Sequence, residues 1–342
     1  MKEKWEVEWF KKLIFPQELT KVDENYVVFV EKRIQKDTYV FNILLKDLST
    51  GLETQIAEGC SISIIKQGYG FRLSFFKDNN LYWKNIRIAL EGIQTGMEHL
   101  VGCFKNHSKA LWSPDGQKLV LCCARKVEVE PSDLPEFNTM TWINRLQFKS
   151  DASGIFDGSY REVVVYDIET GKEMQLTKER RDYGNAAFLD DTHVIYTAVL
   201  EQSDTSDKAD IMIYDLSENK EKIIWGPGGP ITELCVSPSG REFLILSHDN
   251  HYWEATNFSI YRYRNPLEET SCEKIENPYD RSIGNYIIVD SGAKASAPCI
   301  QYGQDEEIVY FLLTSGFCTE IYRIQGEKIQ RMDYPLYEKK ER

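Results

Sequence analysis

The first segment that could bind a ligand is a long polar stretch, 125–160, which holds Trp142, Asn144 and Arg145 close together. A guanidinium pairs with a carboxylate through two parallel hydrogen bonds, so Arg145 could hold a carboxylate of a peptide beside the Trp142 ring. In the other interpretation, Trp142 and Leu146 only anchor the loop, as aromatic residues in long loops commonly do. We predict Trp142, Asn144 and Arg145 as ligand-binding residues.

A second segment, His248–Glu254, reads HDNHYWE and is the densest polar and aromatic cluster of the chain. Imidazole and carboxylate groups can bind zinc or move protons. The spacing is not that of the H-E-x-x-H helix motif, and the segment lies in a predicted hairpin loop. We therefore interpret it as a loop at the rim of a sheet, and we expect no metal site there.

Four carboxylates within the first segment follow no calcium-loop spacing and predict a solvated loop: Glu128, Glu130, Asp133 and Glu136. The eight cysteines are scattered without a C-x-x-C pair, mostly within apolar runs, which indicates free, buried thiols in a reducing compartment. No cofactor and no metal are expected.

A serine nucleophile of the hydrolase type requires the elbow Gly-x-Ser-x-Gly. The nearest approach is Gly59–Ser63 (GCSIS), which lacks the second glycine and lies in a strand pattern. None of the five histidines follows a suitable serine and aspartate in the hydrolase order. We therefore expect no catalytic residue in this chain.

Two alternating motifs indicate which elements position these segments. An apolar strand, an aspartate and a turn ending in Gly or Asn recur at Leu45–Gly51, Val165–Gly171 and Ile213–Asn219. A Ser-Pro turn ending in Gly precedes a strand at Ser113–Gly116 and Ser237–Gly240. Gly and Asn accept the left-handed backbone of tight turns, and Pro fixes its own φ. The repeating unit is four strands in roughly 45 residues, which is typical of a β-propeller blade.

The fold prediction is therefore an all-β propeller of four-stranded antiparallel blades, forming a single domain over 1–342. We count six blades, at about 13–57, 61–93, 109–177, 185–225, 231–275 and 298–332; a seventh stays possible. A short helix or lid is predicted at 3–13 and a polar tail at 333–342. An insertion is predicted at 125–160, between the second and third strands of blade three, on the face that also carries the blade-to-blade connections.

Composition narrows the classes of partner. The formal net charge of −13 disfavours phosphate backbones and anionic lipid surfaces, so nucleic acid and membranes are not expected partners. No run of 18 apolar residues is present, and Met1–Ile14 lacks the apolar centre of a secretory signal. We expect a cytoplasmic protein.

At this point the residues resemble a known family. Trp112–Gly116, Trp142–Leu146 with Ser150–Gly154, and Val163–Thr177 are similar to the propeller of the prolyl oligopeptidase (S9) family. The acylaminoacyl-peptidase and dipeptidyl-peptidase branch fits best, and the resemblance runs from about Leu13 onward. The Ser-Pro-Asp-Gly turn also occurs in other propellers, including the six-bladed protein of the periplasmic Tol system.

The resemblance implies a propeller that gates substrate access, and in this family an α/β-hydrolase domain follows the propeller. The branch usually has seven blades, against six counted here, and the family's catalytic residues have no matching positions in this chain. We expect a non-catalytic propeller that binds a peptide or a hydrolase domain. Two alternatives stay open: the propeller part of a split or truncated peptidase, and a general protein-interaction scaffold.

Overall fold

The computed structural model describes most of the chain as β-strands. The described residues are 14–36, 38–126, 149–150, 154–155, 159–177, 179, 181–200, 207–287, 298–303, 305–316, 318–326 and 328–333. Within these ranges there is no α-helix, and one short 3-10 turn lies at Trp253–Ala255. The chain divides into two compact units, one up to Gly226 and one from Pro227 onward.

The first unit holds four antiparallel meanders. Blade one comprises β1 Ile14–Lys21, β2 Tyr26–Gln35, β3 Thr38–Asp47 and β4 Glu53–Glu58. Blade two comprises β5 Cys60–Gln67, β6 Gly70–Lys77, β7 Asn80–Ala89 and β8 Gly92–Thr95, with β9 His99–Cys103 as a further strand on β7. Blade three comprises β10 Leu111–Trp112, β11 Lys118–Lys126, β14 Ser159–Asp167 and β15 Lys172–Gln175; a separate two-stranded pair is β12 Lys149–Ser150 with β13 Gly154–Ile155. Blade four comprises β16 Tyr183–Phe188, β17 His193–Ala198, β18 Asp210–Asp215 and β19 Lys220–Ile224.

The second unit holds two more meanders of the same order. Blade five comprises β20 Ile231–Val236, β21 Glu242–Ser247, β22 Ser259–Arg264 and β23 Ser271–Ile275. Blade six comprises β24 Ile300–Tyr302, β25 Ile308–Ser315, β26 Cys318–Gln325 and β27 Lys328–Arg331. Six successive antiparallel meanders of four strands make the fold class a β-propeller.

The aspartate motif forms the turn between the third and fourth strands. Asp47 Oδ1 accepts the backbone N–H groups of Ser49 at 2.8 Å and of Thr50 at 3.2 Å. The same bonds form at Asp167 and Asp215. The Ser49 hydroxyl at Asp47, the Ser217 hydroxyl at Asp215 and the Thr170 N–H at Asp167 are the strongest of the hydrogen bonds that favour the ionised carboxylate. With the other bonds of each turn, they hold the pKa values of all three aspartates below their ordinary range. The motif's final residue has a positive φ, as the sequence predicts: +73° at Gly51, +69° at Gly171 and +53° at Asn219.

The apolar residues of the strands form cores within each unit. Blades one and two share a cluster with fully buried side chains from both sheets, among them Leu45, Leu73 and Phe75. Blades three and four share another around Tyr196, and blades five and six one around Phe311. Strands buried on both faces explain why the sequence runs are apolar without strict alternation.

The first strand of several sheets contains an irregularity. The pairing of the first with the second strand shifts register between Gln17 and Thr20, between Cys60 and Ser63, and between Gly184 and Ala187. Non-glycine residues at these bulges have a positive φ: Glu18 at +53°, Ser61 at +55° and Asn185 at +47°. A bulge turns the side chains beside it away from the regular alternation, so these positions are oriented differently from ordinary strand residues.

The predicted blades and the all-β fold are confirmed, with strand boundaries that differ by a few residues. The ninth strand was not predicted; it pairs with Asn80–Trp83 on the same edge of β7 as β8 and extends the pairing along that edge. The predicted lid at 3–13 and the tail beyond Asp333 lie outside the described residues. That the chain forms a single domain over 1–342 stays a prediction.

Candidate ligand-binding site

The long connections of the chain leave each sheet at one end of its strands. In a four-stranded meander, the segments after the second and the fourth strand leave at this same end, which we call the loop-bearing edge. The insertion of blade three leaves there, because the ladder between β11 and β14 runs out to the pair Lys126 and Ser159. The prediction that this insertion shares an edge with the blade-to-blade connections is therefore confirmed for blade three.

The predicted ligand-binding residues Trp142, Asn144 and Arg145 lie outside the described residues, as does the acidic run from Glu128 to Glu136. Their assignment stays a prediction. What the structure supplies is the place where the segment enters and leaves the sheet.

A groove of about 410 Å³ lies at the loop-bearing edge of blades one and two. It is lined by the end of β4, the last residue of β6 and one residue between β8 and β9: Gln55, Ile56, Ala57, Glu58, Lys77 and Glu98. Lys77 Nζ lies 2.8 Å from Glu58 Oε2, and this ion pair is half exposed. The groove is open and polar, and its charged groups suit the ends and the amides of a peptide better than an apolar ligand.

A buried lysine supports this groove from below. The Lys84 side chain is only 7% exposed. Its ammonium donates to the backbone oxygen of Ile56 at 2.9 Å and lies 3.4 Å from Glu98 Oε1. A buried charge is tolerated only when it is hydrogen-bonded and paired, so Lys84 fixes the groove wall and holds Glu98 at its rim.

A second polar cluster lies where the first strands of blades one, two and three meet. The Glu18 carboxylate accepts the backbone N–H groups of Ser61 at 3.0 Å and Ile62 at 2.8 Å. Lys109 Nζ lies 3.2 Å from Glu18 Oε2, and the Glu18 side chain is 9% exposed. The carboxylate therefore joins the bulge of β1 to the bulge of β5. No sequence motif distinguishes Glu18 among 54 acidic residues, so sequence reasoning missed it.

The same cluster contains the segment that came nearest to a nucleophile elbow. Gly59–Ser63 leads into β5 at its bulge, which confirms the predicted strand. Ser61 is therefore followed by a strand and not by a helix. Burial, and then the Glu18 carboxylate, raise the pKa of the Cys60 thiol above its ordinary value. At neutral pH this thiol is protonated and a poor nucleophile.

The second unit repeats the carboxylate contact. Glu233, at the register shift of β20, accepts the N–H of Cys299 at 2.8 Å and that of Ile300 at 3.2 Å through Oε2. A carboxylate from the first strand of one blade thus binds the start of the first strand of the next. The recurrence in both units indicates a structural role for these two glutamates.

The segment His248–Glu254 forms the connection between β21 and β22 at the loop-bearing edge of blade five, as predicted. His248 is buried and packs edge-on against Phe258 at 4.6 Å, and its Nδ1 accepts the Asn250 N–H at 3.2 Å. His251 is exposed and packs on Tyr252. The two imidazoles therefore have different surroundings. Across the described ranges, no three His, Cys, Asp or Glu side chains are arranged to hold a metal ion.

The cysteine prediction is partly wrong. None of the eight cysteines forms a disulfide, as predicted, but Cys103, Cys272 and Cys318 are exposed. They lie in strands at the ends or edges of sheets, where alternate positions face solvent. Cys122 and Cys123 are buried as predicted, and burial raises the pKa of Cys122.

Comparison with known proteins gives the relationship of the fold. No family model matches the chain. An alignment of 354 positions with the uncharacterized peptidase YuxL of Bacillus subtilis has 24% identity and covers 97% of this chain and 52% of YuxL. Acylaminoacyl peptidase from Pyrococcus horikoshii superposes with a TM-score of 0.72 at 15% identity, over 97% of this chain and 48% of the enzyme.

The chain resembles the propeller of the acylaminoacyl-peptidase-like enzymes. The β-propeller domain of the Trilobed protease from Pyrococcus furiosus also matches, with a TM-score of 0.58 at 14% identity, over 94% of this chain and 86% of that domain. The resemblance predicted from the sequence is thereby confirmed. The chain spans about half the length of the curated relative and of the peptidase structures that it matches. In the described part of the chain, no helix has the length and apolar character needed to cross a bilayer.

Proposed function

We propose that this chain is a peptide-binding propeller that performs no peptide-bond chemistry by itself. The observation that carries the proposal is the similarity to the propeller of acylaminoacyl peptidases in a sequence without a Gly-x-Ser-x-Gly elbow. The polar groove at Glu58 and Lys77 and the insertion that leaves from β11 lie at loop-bearing edges. Loops on a rigid scaffold are where binding residues concentrate.

The proposed ligand contacts are Trp142, Asn144 and Arg145 of the insertion, with Arg145 pairing with a peptide carboxylate. A matched pair of variants tests this: Arg145→Ala, and Arg323→Ala, a partly exposed arginine of β26 that donates to Gln330. Fluorescence anisotropy with labelled peptides should show about a tenfold loss of affinity for Arg145→Ala. Equal affinities of the two variants would contradict the assigned role of Arg145.

The non-catalytic part of the proposal has its own test. The purified chain should not hydrolyse aminoacyl nitroanilides. Turnover that disappears on fluorophosphonate treatment would show a reactive serine and would contradict it.

A second candidate ligand is a hydrolase domain. It is favoured by the coverage, since the relatives continue beyond the half that this chain matches. Affinity purification of the tagged chain from its own cells should then recover an α/β-hydrolase in stoichiometric amount, and recovery of the chain alone would count against this candidate. We also infer a cytoplasmic location, because eight cysteines without a disulfide suit a reducing compartment.

A further inference from the structure

In the second unit, the connection between β21 and β22 exposes two adjacent aromatic side chains. Tyr252 is 67% exposed and Trp253 is 81% exposed. Rings of this size are normally at least half buried, and when exposed they commonly mark binding positions. Neither ring can contribute much to the stability of the unit, because little of its surface is removed from water.

The backbone holds these rings in a fixed position. The Trp253 N–H donates to the Asn250 oxygen at 3.1 Å, and the Tyr252 N–H donates to Thr256 Oγ1 at 2.7 Å. Asn250 Nδ2 donates to the Gly228 oxygen at 3.1 Å, which ties the connection to the start of the unit. Trp253 itself has a φ of +55°, a conformation that bulky residues rarely adopt. Backbone strain that the surroundings maintain is a recognised indicator of function.

Carboxylates lie in the connection that carries the two rings and in the segment beside it. Asp249 precedes them in the same connection and is exposed. The segment after β23 lies alongside, because Asp280 Oδ1 accepts the Asn257 amide at 3.0 Å. Burial, and then the Asp249 charge, raise the pKa of Tyr261 in β22 to about 12. Lys274 Nζ lies 5.9 Å from the Tyr261 ring centre and Arg281 donates to Ser315 Oγ at 2.7 Å, so each of these two cations already has a partner.

We propose that Trp253 and Tyr252 bind a basic side chain of an extended peptide, with the cation over the indole face. The proposal rests on the peptide-binding function above and specifies its ligand as a peptide that carries lysine or arginine. Cations are attracted to the face of Trp more strongly than to other rings. The neighbouring carboxylates and the net charge of −13 complement such a ligand and attract it over a longer range.

The chain offers a matched control in the first unit. Trp225 is 67% exposed at the end of β19, and Lys208 Nζ already lies 6.0 Å from its ring centre. Its face therefore has a cation of its own. The comparison is between Trp253→Asn and Trp225→Asn, since asparagine accepts the positive φ required at position 253.

The probes are a fluorescein-labelled peptide of alternating glycine and arginine, and the same peptide with citrulline in place of arginine. Citrulline keeps the shape of arginine but has no charge. We expect Trp253→Asn to weaken the arginine peptide by about three- to thirtyfold and Trp225→Asn by less than about twofold. Trp253→Asn should also melt no lower than the unmodified protein, because the strain at its backbone is removed. The citrulline peptide should bind the unmodified protein about as weakly as the arginine peptide binds Trp253→Asn.

The outcomes separate the two proposals. If the arginine peptide binds and Trp253→Asn changes nothing, or if the citrulline peptide binds as tightly, the basic-peptide inference is wrong and peptide binding stands. If neither peptide binds, both are wrong.

Discussion

The carboxylate of Glu18 should be among the most important single groups for the stability of the first unit. It accepts two backbone N–H groups of the next blade, at 2.8 and 3.0 Å, and its side chain is 9% exposed. Glu18→Gln replaces one carboxylate oxygen with an amide NH₂, which cannot accept a hydrogen bond. One backbone N–H, of Ser61 or Ile62, then loses its acceptor, and the other loses the charge on its acceptor.

The expected cost follows from these contacts. A hydrogen bond to a charged group contributes about 1.5–3 kcal/mol, and a buried N–H without a partner costs about 1–3 kcal/mol. Lys109 is 42% exposed, so its ion pair adds less than about 1 kcal/mol. Together these give a loss of about 2–4 kcal/mol in the free energy of unfolding. For a unit of this size the melting temperature should fall by about 5–12 °C.

The measurement is urea unfolding followed by tryptophan fluorescence and by circular dichroism. The matched control is Glu24→Gln, which removes an ion pair with Lys21 at the surface, where the Glu24 side chain is 77% exposed. That variant should lose less than about 0.5 kcal/mol. If Glu18→Gln unfolds at the same urea concentration as Glu24→Gln, the argument that this carboxylate joins two blades is refuted.

Three further predictions concern the turns and the thiols. The Thr170 and Glu169 N–H groups lower the pKa of Asp167. The ionised Asp167 therefore stabilises the folded protein above the unfolded-state pKa, and this stabilisation is lost as pH falls below about 4. The melting temperature of Asp167→Asn should fall less steeply in acid than that of the unmodified protein. Gly59→Ala should lower the melting temperature severely or prevent folding, because φ is +142° and a Cβ would collide with the Phe76 oxygen; Gly51→Ala, at +73° with open space around it, should cost only about 1–2 kcal/mol, and equal effects would contradict this. A maleimide should modify the three exposed cysteines within minutes and Cys122 only after unfolding, which mass spectrometry of the native protein can check.

The turns made the fold predictable from the sequence. Asp47, Asp167 and Asp215 each accept the backbone N–H groups of the residues two and three positions further on, and this local chemistry is visible in any single copy of the motif. Once three copies recur with alternating Ser-Pro turns, the strand count per repeat follows.

The bulges and their carboxylates were not predictable. The contacts of Glu18 with Ser61 and of Glu233 with Cys299 join residues that are 43 and 66 positions apart. Which carboxylate meets which backbone depends on the register of two different sheets, and no local pattern encodes it. The ninth strand was missed for a similar reason, because His99–Cys103 continues along the edge of β7 that β8 and Gly96 already contact, and no local pattern encodes that register.

For the segments proposed to bind a ligand, the sequence predicted only their place in the fold. The sequence correctly placed the insertion between the second and third strands of blade three, since Lys126 pairs with Ser159. It also placed His248–Glu254 at the rim of blade five. It gave no indication that Trp253 would have a positive φ, because tryptophan is among the residues least expected there.

The uninterrupted ladder between β11 and β14 has an evolutionary consequence. All nine residues of β11, from Lys118 to Lys126, have partners on β14, so the two strands align each other without help from the segment that joins them. Mutations, insertions and deletions in that segment can therefore accumulate while the register of the sheet is retained. Related propellers could acquire new specificities by exchanging this one connection and leaving the scaffold unchanged.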